Sequence, residues 1–159
     1  MKYEGTLLVV KDIDVSRRFY QDVLFRTVLL DLKVYVVFEG FCLLTEPQWT
    51  EFLDNKPVQL NYSNNVCQLG FEDDDIDAFM QHLQKFADIK MLTPLKEYAW
   101  GQRAIRFYDP DGHIIEVGES MKVVVKRFLR SGMSIEEAAQ KSMFPRDFVE
   151  ICAKELTEN

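Results

Sequence analysis

The sequence predicts an α+β fold of two paired strand–helix–three-strand (βαβββ) modules followed by a C-terminal helical extension, and three features of the chain predict it. First, TLLVVKDIDVSRRFYQDVL and LGFEDDDIDAFMQHLQKF each run from an apolar strand pattern through an acidic break into a helical pattern, and they align at an offset of 63 residues. Second, VYVVFEGFCLLTE and RAIRFYDPDGHIIEVGE align at an offset of 72, with Gly40 on Gly112, each being a strand pattern broken by a glycine turn. Third, the charge changes character near residue 118: residues 1–118 hold 12 basic and 19 acidic side chains, whereas residues 119–159 hold seven of each. The expected organisation is one domain over 1–118, with modules at about 4–46 and 66–118, and an extension over 119–159.

Each element has a local reason. In the first module TLLVV is a short buried-strand pattern, and Asp12 stands where an N-cap accepts from the exposed amides of the following helix. Asp75 holds the matching place in the second module. After each helix come about three strands joined by hairpins. Between the modules, EPQWTEFLDNKPVQLNYSNN is polar and turn-rich and reads as a short helix plus linker. In the extension, SMKVVVKRFLRSG carries four basic residues and no acid. Ser134 and Glu137 then form a capping-box pattern, and Pro145 suits the first turn of a last helix whose Phe148, Ile151 and Cys152 recur at helical spacing. The apolar stripe Val123, Val124, Phe128 and Leu129 is expected to pack on the modules or on a second copy.

Composition narrows the class of function. A chain of 159 residues, 47% hydrophobic and 28% charged, is ordinary for a soluble globular domain. Its net charge of −7 argues against nucleic acid or an anionic membrane as partner and is compatible with a cationic ligand. Cys42, Cys67 and Cys152 are odd in number and widely spaced, which suggests neither a disulfide framework nor a thiolate metal site and fits a reducing, cytoplasmic setting. The run MKYEGTLLVV is too short for a membrane span and lacks the pattern of a signal peptide.

SRRFYQDVL after VVKDID, and DPDGHIIE after WGQRAIRFY, resemble the two signatures of the vicinal oxygen chelate superfamily, which includes glyoxalase I, extradiol dioxygenases, and the bleomycin and fosfomycin resistance proteins. The resemblance covers about residues 4–118. It implies two βαβββ modules forming a U-shaped cleft, commonly completed in a homodimer, and in metal-using members a divalent ion held by side chains projecting into that cleft. The positions it implies for the ligands are Gly5, Leu44, Gln68 and Glu116, and the two offsets relate them in pairs. Only Gln68 and Glu116 carry donors, fewer than zinc, nickel or manganese sites usually use.

Glu46 is a third candidate metal ligand, two residues beyond Leu44 on the same face if that strand continues. Glu4 faces the other way unless a bulge intervenes. His82 falls in a helical pattern and His113 flanks the turn glycine, so neither is expected to ligate. If Glu116 holds no metal, Gln68 and either Arg103 or Arg106 are expected to satisfy it, because an unpaired buried carboxylate is costly. Tyr98, Trp100 and Phe107, with Tyr35 and Phe38 from the matching strands, are candidate ligand-lining rings, Trp100 foremost, and Arg103 is a candidate ligand-binding residue beside them.

The resemblance implies a glyoxalase/bleomycin-resistance-like protein that binds or converts a small molecule in its cleft, in one of two forms. One is a metal-dependent lyase or isomerase of the glyoxalase I type, in which Glu116 is ligand or base next to a carbonyl. The other is a metal-free protein that sequesters a drug or metabolite, like the resistance branch. The missing histidines count against an extradiol dioxygenase.

Overall fold

A computed structural model describes residues 1–3, 5–56, 59–62 and 65–158. The described residues form eight strands and six helices in the order β1 (Thr6–Val10), α1 (Ile13–Asp22), β2 (Leu30–Asp31), β3 (Tyr35–Phe38), β4 (Phe41–Thr45), α2 (Glu46–Phe52), β5 (Gln68–Asp73), α3 (Ile76–Leu83), β6 (Met91–Glu97), β7 (Arg103–Tyr108), β8 (Ile114–Glu119), α4 (Met121–Arg130), α5 (Ile135–Ser142) and α6 (Arg146–Thr157). No helix is long and apolar enough to cross a membrane among these residues.

The repeat read in the sequence is a repeat of topology. One four-stranded sheet has the order β1-β4-β3-β2 and the other β5-β8-β7-β6, so the first strand of each half pairs with the last. In the first sheet β1 runs parallel to β4, with Leu8 opposite Leu43 and Val10 opposite Thr45. Both expected acidic caps form. Asp12 accepts from the amides of Asp14 and Val15, and Asp75 from the amide of Ala78 at 2.9 Å.

The chain divides into two compact units that interleave along the sequence: Met1–Cys67 with Phe86–Lys90 and Tyr108–Ile114, and Gln68–Lys85 with Met91–Phe107 and Ile115–Asn159. In the first, β4 lies between β1 and β3, and consecutive Leu43 and Leu44 are both fully buried, as a central strand covered on both faces requires. Tyr20 of α1 packs its ring on Phe41, which stacks on Phe38 at 4.8 Å. Phe38 is thereby core rather than a lining ring.

In the second unit, Ile76, Phe79 and Leu83 of α3 are buried, and Phe79 stacks on Phe107 of β7. The extension belongs to this unit. Met121, Val124, Val125 and Phe128 of α4 form one apolar cluster with Ala138 of α5 and with Val149 and Cys152 of α6. The Ser134–Glu137 capping box is present, and Pro145 stands one residue before α6, as its N-cap. Gly101 shows why this packing is close: its φ is +86°, and a Cβ there would lie 2.1 Å from the Phe128 ring.

Candidate functional site

Alternation along β7 decides which side chains can meet. Ala104 and Arg106 project to one face and Ile105 and Phe107 to the other, while on β8 Glu116 and Gly118 oppose Ile115, Val117 and Glu119. Phe107, fully buried against α3, therefore belongs to the core of the second unit and not to the face that carries Arg106, which corrects its expected role as a lining ring.

Four polar side chains converge on that other face. Gln68 Nε2 donates to Glu116 Oε2 at 3.2 Å, and Arg106 Nε donates to Gln68 Oε1 at 3.1 Å. The two Nη atoms of Arg106 bond the Glu116 carboxylate and the Tyr98 hydroxyl. Arg106 and Glu116 are each about one-fifth exposed, 23% and 19%, so the pair is shielded without being sealed from solvent. Gln68 and Glu116 are the residues the family resemblance singles out, and Arg106 bridges them.

The hairpin between β6 and β7 supplies the aromatic side. The Tyr98 amide donates to the Gln102 carbonyl across the turn, and Trp100 stacks on Tyr98 with centroids 4.7 Å apart. Trp100 Nε1 donates to Gln102 Oε1 at 3.0 Å, and its ring packs against the apolar cluster of α4–α6. Trp100 is therefore anchored by the extension as well as by Tyr98. The Tyr98 ring also carries two cations: Lys96 Nζ is 4.8 Å from its centroid, and the Arg106 guanidinium carbon is 5.5 Å away.

Arg103, considered alongside Arg106 as a partner for Glu116, is committed elsewhere. Its Nε and Nη2 donate to Glu119 Oε1 at 3.0 and 2.8 Å, its backbone amide to Glu119 Oε2, and both Nη atoms reach Asp77. Arg127 of α4 adds two further bonds to Glu119. Burial works against ionising Glu119, but the bonds from Arg103 and Arg127 outweigh it and hold the carboxyl below its ordinary range. Arg103 thus joins β7, β8, α3 and α4 structurally.

Glu46 does not lie on a continued strand. Thr45 ends β4 and Glu46 opens α2, with Pro47 fixing the first turn, so the carboxylate leaves the strand alternation that would have aimed it beside Leu44. It accepts from the Tyr62 hydroxyl at 2.6 Å instead, within the first unit. Gln68 and Glu116 belong to the second. Glu4 lies outside the described residues.

The turn DPDGH forms a second polar cluster, inside the first unit. Asp109 accepts from the amides of Asp111 and His113, from the Tyr20 hydroxyl at 2.9 Å, and meets His113 Nδ1 at 2.8 Å. Asp111 accepts from Ser16 Oγ at 3.1 Å and from the Lys11 amide. The Tyr20 and Ser16 bonds tie the turn to α1 and the Lys11 bond ties it to the end of β1, while the Asp111 and His113 bonds to Asp109 hold the turn itself, where His113 flanks the turn glycine. Sequence reading passed over Tyr20 and Ser16; their signal is their position on the buried face of the first helix opposite an acidic turn.

The donor set can be tested against a divalent ion. Of the four positions the resemblance implies, Gly5 and Leu44 lack side-chain donors, the Gln68 Oε1 is taken by Arg106, and the Glu116 Oε2 is shared by Gln68 and Arg106. Among the described residues no three His, Cys, Asp or Glu side chains gather as a metal site. Among the described residues, and with Arg106 in place, Gln68 and Glu116 alone fall short of the three or four protein ligands that zinc, nickel or manganese usually takes.

A fold of two βαβββ repeats, ending its second repeat in DPDGHIIE with a polar cluster on the face of its sheet, defines a class. The chain belongs to the glyoxalase-like domain family, whose model matches residues 3–122, and with it to the vicinal oxygen chelate superfamily.

Among solved structures it is similar to a protein of unknown function from Agrobacterium tumefaciens, at 39% identity over 76% of this chain and 94% of that one, with a TM-score of 0.69. A lactoylglutathione lyase from the same organism is 25% identical over 75% of this chain and 93% of its own, with a TM-score of 0.56. A fosfomycin resistance protein from Listeria monocytogenes, solved with Mn(II) and a dihydroxypropylphosphonic acid, shares the fold at 17% identity and a TM-score of 0.57, covering 80% of this chain and 97% of that one. No curated protein matches the chain.

Proposed function

We propose that this protein binds or converts a small molecule on the face of its second sheet, using Glu116, Gln68 and Arg106 as polar contacts and Tyr98 and Trp100 as the aromatic wall. The observation that carries the reading is the convergence of Gln68 and Arg106 on Glu116, with the Tyr98 hydroxyl bonded to the same guanidinium. A charged, partly exposed cluster beside two stacked rings is what a site for a small polar ligand requires, since the rings supply contact area and the polar groups set orientation. In the proposal the protein acts in the cytoplasm as a homodimer, with residues 1–118 carrying the function and the helical extension supporting Trp100.

Metal-independent action is the form of this reading that the donor set favours, because a divalent ion at Glu116 would have to displace a guanidinium already bound there. A metal-dependent lyase of the glyoxalase I type is the second reading, supported by the 25% identity to a lactoylglutathione lyase.

Elemental analysis of protein purified without chelator separates the two. Sub-stoichiometric metal, with no change in melting temperature on adding nickel, zinc or manganese, is the expected result; one ion per chain with a raised melting temperature favours the lyase. The site itself is checked by a small-molecule screen read by NMR, expected to perturb Tyr98 and Trp100, and hits that leave both unmoved would remove this face from consideration.

A further inference from the structure

Resting on the small-molecule site just described, we infer that Arg106 is the resident cation of that site and takes an anionic oxygen group of the ligand, of the carboxylate class, directly and without a divalent ion.

The first ground is the sign of the local charge. Glu116 would make this face attractive to a cation if it stood alone, but Arg106 neutralises it at contact distance. Lys96 then leaves the cluster with one net positive charge. Its strand position pairs with Ala104, which shares a face with Arg106, so Lys96 projects to the same side of the sheet. Glu72 also lies on this face of β5, but it is four residues from Gln68, roughly 13 Å along the strand. That is beyond the screening length of about 8 Å at physiological salt, so it leaves the local sign unchanged. A cationic ligand would have to compete with an intramolecular guanidinium and pass an ammonium to reach Glu116.

The second ground is unused donor capacity. Arg106 has five N–H groups, and its bonds to Gln68, Tyr98 and Glu116 use three. One N–H remains on each Nη, and a planar guanidinium held by three partners presents them in fixed directions, the arrangement suited to a carboxylate. The third ground is Thr93, registered opposite Arg106 across β6 and β7. Its hydroxyl is buried and has no hydrogen-bond partner among the described residues. Buried hydroxyls are ordinarily satisfied, and an oxygen ligand beside Arg106 supplies an acceptor.

The test uses three probes of matched size: malonate, malonamide and 1,3-diaminopropane. Each is titrated into the full-length protein while the Nε–H resonance of Arg106, assigned through Arg106→Lys, is followed by NMR. Malonate is expected to shift this resonance saturably and the other two to leave it in place. The double variant Arg106→Gln/Glu116→Gln removes both charges together and so avoids an unpaired carboxylate. Its Tyr98 and Trp100 resonances are expected to report malonate binding at least tenfold weaker.

Equal malonate affinity in wild type and double variant overturns the inference. Binding of malonamide or diaminopropane at these resonances, with malonate silent, also overturns it while leaving the small-molecule site intact. A null response to all three overturns the anion assignment alone, because the screen of the preceding section judges the site independently. Mn(II) alone, added to wild type, is expected to cause no broadening centred on Gln68 and Glu116; such broadening would return the site to a metal.

Discussion

Arg103 wraps Glu119 with three hydrogen bonds, two from its guanidinium and one from its own backbone amide, while Glu119 is 1% exposed. A buried carboxylate held this way stabilises the fold only while it is ionised. Its folded carboxyl titrates below the unfolded value of about 4.3, so its contribution is complete above that pH and is lost as pH falls through the folded value. Glu119→Gln is expected to cost about 2–3 kcal/mol at pH 7, by leaving Arg103 and Arg127 short of an anion. The gap between variant and wild type should close as urea midpoints are measured from pH 7 down toward pH 3. A gap that stays constant would mean that the charge is not the cause.

Tyr20 gives the opposite limit. Burial first, then the negative charge and hydrogen bond of Asp109, raise its phenol well above the ordinary range. Stability from the neutral phenol is complete below about pH 10, the unfolded value, and is lost as pH rises beyond it. Of the six tyrosines in the chain, Tyr20 is expected to ionise only with unfolding, seen as a tyrosinate absorbance step that coincides with loss of circular dichroism. Tyr20→Phe should shrink that step without abolishing it, because burial and Glu46 raise the Tyr62 phenol as well, and should cost about 1 kcal/mol at pH 7, because Asp109 keeps His113 and two backbone amides as donors.

Gly101→Ala tests the seat of the extension. The residue sits at φ +86°, and the added methyl would occupy the Phe128 ring. Left-handed strain and overpacking together predict a loss of about 2–4 kcal/mol in chemical denaturation, with a change in Trp100 fluorescence. An unchanged midpoint would contradict the close packing of this turn on α4.

The Arg106–Glu116 pair predicts a coupling. Removing either partner leaves a partly buried charge, so the costs of Arg106→Ala and Glu116→Ala should sum to more than the cost of the double variant. The interaction energy is expected to be about 1–2 kcal/mol by double-mutant cycle, a modest figure because both groups retain some solvent. Additive effects would show that the pair is not formed in solution.

Much of the architecture was legible because it rests on local chemistry. Asp12 and Asp75 cap helices whether or not the sheets are known, Ser134 and Glu137 form their box within four residues, and the 63- and 72-residue offsets describe two sheets of the same strand order. Glu46 was misplaced because strand alternation was extended one residue past Thr45, where Glu-Pro begins a helix. Phe107 and Phe38 were placed with the lining rings because an aromatic residue on a strand looks alike on either face until the helix that covers one face is known.

By itself, then, the sequence determined the repeat, the caps and the glycine turns, and the family resemblance singled out Gln68 and Glu116, which the repeat sets opposite Gly5 and Leu44. Only the tertiary structure decided which arginine serves which carboxylate. Arg103 and Arg106 are three residues apart on one strand and therefore project to opposite faces. The face of Arg103 meets Asp77, Glu119 and the Arg127 of α4, whereas the face of Arg106 meets Gln68, Tyr98 and Glu116. Charged side chains find partners by what distant segments bring within about 3 Å of them, and that is a property of the folded chain rather than of its spacing.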